Sequence, residues 1–352
     1  MESRKKEISL TGAFCCFLVI TIHLLSDAMT RLDTKTWQYA VAFIPWEFSS
    51  FAVYGFIFIS ALKLSMSNYP GYKGFILRRF GKIIVPYAIA VTIYWICFAI
   101  FHNYGFSLKQ VVQYYFFGNI FAHFYFVIII AQFYLLFPVW TWLIKKADAI
   151  IALPLAILVM IIFRESLRIL ISRTIPAYSL QYQDRFFITY LAFWLAGFYA
   201  GKHYDDFVRI IRKYTKGILI FFAAILVTDQ YFNYLSMAKG VWHATLGTVK
   251  ITYYFASILA VYAISLKMAD TKAGSNRFLA FVYEESYYIY LYHMLALIII
   301  NEIMKAAGIT SVSQTFIFRG IFVCVTTFFG CLAYRKLRQK LTGPPIPGAG
   351  KR

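Results

Sequence analysis

The sequence predicts an all-α, polytopic transmembrane helical bundle of about ten spans with both termini cytoplasmic. Three observations predict it. First, 61% of the 352 residues are hydrophobic and only 14% charged, with a mean hydropathy of +0.65. Soluble domains carry roughly a quarter charged residues, and one this apolar would expose large sticky patches. Second, the apolar segments are apolar on every side, as in IALPLAILVMIIF, whereas a membrane β-barrel strand alternates at period two. Third, the 35 Lys and Arg, which leave a net charge of +20, gather at the ends of apolar segments. On a soluble domain that charge would suggest nucleic acid; here topology explains it. The expected partner is a lipid bilayer, with no nucleic acid.

Taken in order, residues 2–6, ESRKK, precede a long apolar segment with no small-residue cleavage site behind it. Segment 8–27 therefore reads as a first transmembrane helix and not as a cleaved signal. Further spans are expected at 40–66, 83–101, 120–143, 149–164, 186–201, 217–235, 249–267, 278–300 and 316–334, each near the ~20 residues needed to cross hydrocarbon. The second is long enough for an extramembrane extension, and the fifth is short. The third is expected to begin near Pro86, since proline is tolerated at a helix start. With the N-terminus inside, cytoplasmic segments hold more than twice as many Lys and Arg as outer ones, which fits the positive-inside rule. An even number of spans returns the C-terminus to the same side. Residues 1–342 read as one membrane domain. The tail 343–352, GPPIPGAGKR, is Pro/Gly-rich and is expected to be disordered. The five cysteines sit in apolar segments without metal-ligand spacing, so packing is expected and no metal.

Ionisable groups inside hydrocarbon are costly and therefore candidates for function. His23 lies about fifteen residues from the inner end of the first span, roughly 22 Å up at 1.5 Å per residue. A neutral imidazole there suits a general base towards a hydroxyl; the competing reading is a hydrogen bond to a neighbouring helix. Asp27, four residues on, shares its face and either orients that imidazole or merely closes the span. In FILRRFGKIIVPY, Arg78, Arg79 and Lys82 could grip phosphates, or simply anchor a helix at the inner surface. Segment 164–185 breaks the charge rule with Arg164, Arg168, Arg173 and Arg185 among tyrosines and glutamines. It is an ordinary solvated loop or a surface for sugar hydroxyls and acidic groups. His123, beside Tyr125, and His293 each sit among aromatics, where packing competes with substrate contact. Glu47, Glu284, Glu285, Asp229 and Lys63 lie at or in spans but match no catalytic spacing. A P-loop, a GxSxG elbow, an HExxH pair and a metal-binding cysteine set are all missing from the sequence.

Together these segments resemble the acyltransferase-3 family of bacterial membrane acyltransferases. FLVITIHLL resembles the first-span segment that ends in the family histidine, here His23. FAVYGFIFISALKL resembles the second-span segment with its serine, here Ser60. FILRRFGKIIVPY resembles the basic run leading to Pro86 and Tyr87, and AHFYFVIIIAQFYLLFP the segment from His123 to Tyr134 and Pro138. FWLAGFYAGKHY and SYYIYLYHML resemble the later glycine-tyrosine and tyrosine-leucine-histidine segments. The chain looks nearest to the short, single-domain branch that includes the intercellular-adhesion polysaccharide O-succinyltransferase.

The resemblance implies transfer of an acyl group, acetyl or succinyl, from acyl-CoA to a hydroxyl of a cell-surface polysaccharide or lipid-linked sugar, at the cell membrane. It implies His23 as base and Arg78, Arg79 and Lys82 as the grip on the CoA phosphates. Many members carry an arginine eleven residues before the first-span histidine, where this chain has Gly12. Ala61 stands where glycine is frequent, and Phe124-Tyr125 where tryptophan is. The competing function class is an exporter of a polysaccharide or lipid-linked sugar, which needs the same polar interior but no acyl-CoA.

Overall fold

The computed structural model describes residues 5–67, 71–102, 107–174, 183–241, 246–309 and 311–342; at 102, 165, 167–174, 246, 312–314 and 341–342 it describes the backbone alone. Helices account for the regular structure, and among the described residues there is no strand. In chain order they are α1 (Lys6–Arg31), α2 (Trp37–Phe48), α3 (Ala52–Ser65), α4 (Tyr72–His102), α5 (Leu108–Phe117), α6 (Tyr125–Leu135), α7 (Phe137–Lys146), α8 (Ala149–Thr174), α9 (Leu191–Lys202), α10 (Tyr204–Lys239), α11 (Leu246–Ala269), α12 (Arg277–Glu284), α13 (Ser286–Ala306) and α14 (Val312–Thr342). The predicted tail, 343–352, lies outside the described residues.

Among the described residues, six helical stretches are long and apolar enough to cross a membrane: Lys6–Arg31, Trp37–Ser65, Tyr72–Phe101, Gly247–Ala269, Ser286–Ala306 and Thr315–Lys340. They match six of the expected spans. The expected span at 120–143 overlaps the second part of a broken pair, Leu108–Phe117 with Ala122–Leu135, bent by 54°, and runs on into α7. The one at 149–164 is a shorter apolar helix, Ala149–Arg164. Those at 186–201 and 217–235 fall in the 12-residue α9 and in α10, whose 36 residues include many charges. One expected boundary is corrected: α4 starts at Tyr72 and runs through Pro86. Leu77, Arg78, Arg79 and Lys82, good helix formers, carry the helix back past Pro86 on the basic side. The lost i→i−4 bond falls on Lys82, which is exposed and whose carbonyl water can satisfy.

The chain forms two compact units. One comprises Met1–Phe56 and Val208–Arg352. Here α1 is the hub, packed by α2, α11, α12, α13 and α14. Its N-terminal half, with Gly12, Ala13, Cys15 and Cys16 all buried, is small enough for close helix approach. A Cβ on Gly55 would sit 2.7 Å from the Cys15 sulfur, which is why that position is glycine. At the foot, Arg335 reaches Glu284 at 2.7 Å and Arg338 reaches Glu285 at 3.3 Å. Burial raises the Glu285 pKa, and the two arginines oppose that rise.

The other unit is Ile57–Phe207. Its core is aromatic: Phe133 stacks on Trp194 at 4.3 Å, and Phe75 meets Phe137 at 4.5 Å. Gly197 and Gly201, one turn apart on α9, let the backbone of α3 approach at Phe58 and Leu62, so that any side chain there would collide with carbonyls.

Candidate active site

His23 and His293 come together in the first unit. His23 is carried by the C-terminal half of α1 and His293 by α13, two helices that pack on each other. Their ring centroids are 5.2 Å apart with planes inclined at 46°. His293 is buried, 1% exposed, and its Nδ1 lies 2.8 Å from the Tyr290 carbonyl and 3.1 Å from that of Ile289. Carbonyl oxygens only accept, so Nδ1 carries the proton and Nε2 holds the lone pair. His23 lies one turn below Asp27, as the spacing predicts.

Asp27 is placed differently from a simple orienting carboxylate. Its Oδ2 accepts from Arg319 of α14 at 2.6 Å and from Arg31 at 3.3 Å. The Arg319 side chain is only 6% exposed. Sequence reasoning set Arg319 aside, although a cation in an otherwise apolar span was the signal that could have found it. Trp46 donates to Ser26 at 3.3 Å from the other side of α1. Gly12 lies under the ring of Tyr283: a Cβ there would overlap that ring.

A second polar cluster joins Glu47 of α2, Asp229 of α10 and Lys250 of α11. Lys250 pairs with Glu47 and lies 3.6 Å from Asp229; the two carboxylates are 4% and 0% exposed. Asn233 donates to Asp229 Oδ1 at 2.9 Å. The sequence singled out Glu47 and Asp229 without a partner; the lysine that joins them comes from a helix far along the chain.

The remaining candidates lie in the second unit, except for His293. Arg78 and Lys82 are exposed on α4. Arg78 Nε donates to the Gly74 carbonyl at 3.2 Å, and the Arg79 guanidinium lies over Phe75 and Tyr134 at 5.8 and 5.4 Å. Three cations on little more than one helical turn can meet a polyanion. His123 is buried, 1% exposed, against Phe124 at 4.2 Å, Phe121 at 5.7 Å and Tyr94 at 5.8 Å. Tyr125, at the start of α6, is half-buried. Arg164 is exposed on α8, and the side chain of Arg168 lies outside the described residues. Arg185 donates to the Phe117 carbonyl and to Asn119 Oδ1, and stands 3.7 Å from Asp184. Burial raises the Asp184 pKa against the pull of Arg185. Among the described residues no group of His, Cys, Asp and Glu is arranged to hold a metal.

Comparison with known proteins finds no match among curated proteins and none among solved structures. A family model described as an acyltransferase domain matches residues 7–336, nearly the whole chain. The apolar helices agree with that match, and the chain belongs to the acyltransferase-3 family: it is a membrane acyltransferase that transfers groups other than aminoacyl groups.

Proposed function

We propose that the protein is an O-acyltransferase of the cell membrane, moving an acetyl or succinyl group from acyl-CoA to a hydroxyl of a cell-surface polysaccharide or lipid-linked sugar. The observation that carries this reading is His23, held among packed membrane helices against a second imidazole, in a chain whose family transfers acyl groups. His23 takes the proton of the acceptor hydroxyl. The oxygen attacks the thioester carbonyl, the carbon–sulfur bond breaks, and the thiolate leaves with a proton. Arg78, Arg79 and Lys82 bind the CoA phosphates, which suits the exposure of Arg78 and Lys82. Arg164, Arg168, Arg185, Tyr125 and His123 are the groups proposed to meet the acceptor, while His293, beside His23, serves the base. We read about ten spans with both termini cytoplasmic, and the short, single-domain branch that includes the intercellular-adhesion polysaccharide O-succinyltransferase. The bias of Lys and Arg supports the orientation.

The test is radiolabel transfer from acetyl-CoA and succinyl-CoA to surface carbohydrate in membranes holding wild type or His23→Ala. A general base contributes about 10²–10⁴-fold, so the variant should lose nearly all turnover at equal expression. Transfer by His23→Ala at the wild-type rate would remove His23 from the mechanism. An unlabelled glycan in wild-type membranes would remove the proposed donor and acceptor. An exporter would consume no acyl-CoA, and the family match already speaks against that class.

A further inference from the structure

The geometry points to His293 as the positioning partner of His23: its Nε2 is placed to accept a hydrogen bond from the His23 ring when substrate is bound, and so to fix which His23 nitrogen faces the substrate. The inference deepens the proposed function and rests on His23 being the base. Three observations lead to it. The His293 Nδ1 proton is committed to the Tyr290 and Ile289 carbonyls, so only its Nε2 can accept. The two rings are 5.2 Å apart between centroids, a separation at which nitrogens turned to face each other reach hydrogen-bond distance; the bond is not formed in this structure, and catalytic hydrogen bonds of this kind tighten once substrate is bound. Asp27, one turn above His23 and the obvious carboxylate for the task, is held by Arg319 and Arg31.

The chemistry is that of an oriented base. An imidazole acts as a base through one nitrogen only if its proton sits on the other, and a hydrogen-bond acceptor behind the ring keeps it there. A carboxylate usually fills that place. Deep among apolar helices a neutral acceptor avoids placing one more charge in hydrocarbon, and His293 is buried and already oriented by its own backbone contacts. No proton needs to leave the pair: His23 takes one from the acceptor hydroxyl and surrenders it to the departing thiolate, while His293 holds the ring in register.

Substitution by asparagine and by glutamine separates this role from simple packing. The His293→Asn amide can stand near Nδ1, donate to the same carbonyls and retain the fold, but it has no atom at the Nε2 position. His293→Gln can place an amide oxygen near the Nε2 position. Kinetics in native membranes with acetyl-CoA or succinyl-CoA should show kcat down about 10²-fold or more in His293→Asn, with KM for donor and acceptor within twofold of wild type. His293→Gln should recover part of that loss. The double variant His23→Ala/His293→Asn should be no slower than His23→Ala alone. The melting temperature of His293→Asn should match wild type. An asparagine variant with wild-type kcat would overturn the inference, and so would one whose loss is explained by melting or by KM.

A second readout does not need turnover. Diethyl pyrocarbonate modifies the free nitrogen of a neutral imidazole, and mass spectrometry of the His23 peptide gives its rate. That rate should change several-fold in His293→Asn relative to wild type and return towards wild type in His293→Gln. Identical rates in all three proteins would overturn the pairing. Failure of wild type to transfer any acyl group would instead count against the proposed donor and acceptor.

Discussion

At the scale of single residues, the most exposed assumption in the sequence concerned position 12. The resemblance led to the expectation of an arginine where this chain has Gly12, and the structure shows what a side chain would meet there: the ring of Tyr283 on α12 occupies the space where it would begin. Gly12→Arg alone should therefore destabilise the protein by about 2 kcal/mol through overpacking. The measurement is the melting temperature in detergent, and adding Tyr283→Ala should restore most of it. The buried triad gives a prediction of opposite character. Lys250 is the cation that Glu47 and Asp229 share, so Lys250→Met strands two carboxylates in a low dielectric. That should cost about 3 kcal/mol in a thermal or denaturant melt. Replacing all three by Met, Gln and Asn should recover much of the loss, because the neutral set has no charge left to compensate. A triple variant no more stable than the single one would show that the triad does more than balance charge.

At the scale of elements, the long apolar helices were legible because hydropathy alone specifies them. α1, α4, α11 and α14 each contain an expected span, the stretch from α2 to α3 covers nearly all of another, and the one expected at 278–300 is split between α12 and α13. What hydropathy does not encode is where a helix stops once it leaves hydrocarbon. That is why α4 extends back to Tyr72, past the proline expected to start it. Nor does it encode a break, and the 54° bend between α5 and α6 was not foreseen. Of the site, the candidate status of His23, Asp27 and His293 was readable from ionisable residues standing in apolar context. The pairing of the two histidines was not, because a contact across 270 positions of sequence leaves no local pattern. The same holds for Arg319 and Lys250. Packing between α9 and α3 yields its own prediction. Gly197→Ala pushes a methyl into the backbone at Phe58, where the neighbour cannot rotate away. It should lower stability by about 2 kcal/mol, whereas Gly217→Ala, in open space on α10, should leave the melt unchanged or slightly raised.

At the scale of the whole molecule, the charge distribution predicts sidedness that chemical labelling can check. Lys272 and Lys305 are both exposed and bracket α13, whose 21 residues extend about 31 Å, one hydrocarbon thickness. In intact cells an impermeant thiol reagent should label Lys305→Cys and spare Lys272→Cys; inside-out vesicles should reverse the pattern. Labelling of both from one side would deny that α13 spans.

The bend between α5 and α6 carries a consequence of its own. α5 ends on Gly118 in the left-handed region, and carbonyls near the end of the helix find donors from afar: the Tyr87 hydroxyl for Tyr114 and Tyr115, and Arg185 for Phe117. Peptide groups turned away from their own ladder cannot face lipid unsatisfied. The elbow is thus maintained by residues outside it, so a synthetic peptide of residues 108–135 in micelles should straighten or unravel there, and the intact chain should lose the same corner when Arg185 becomes leucine.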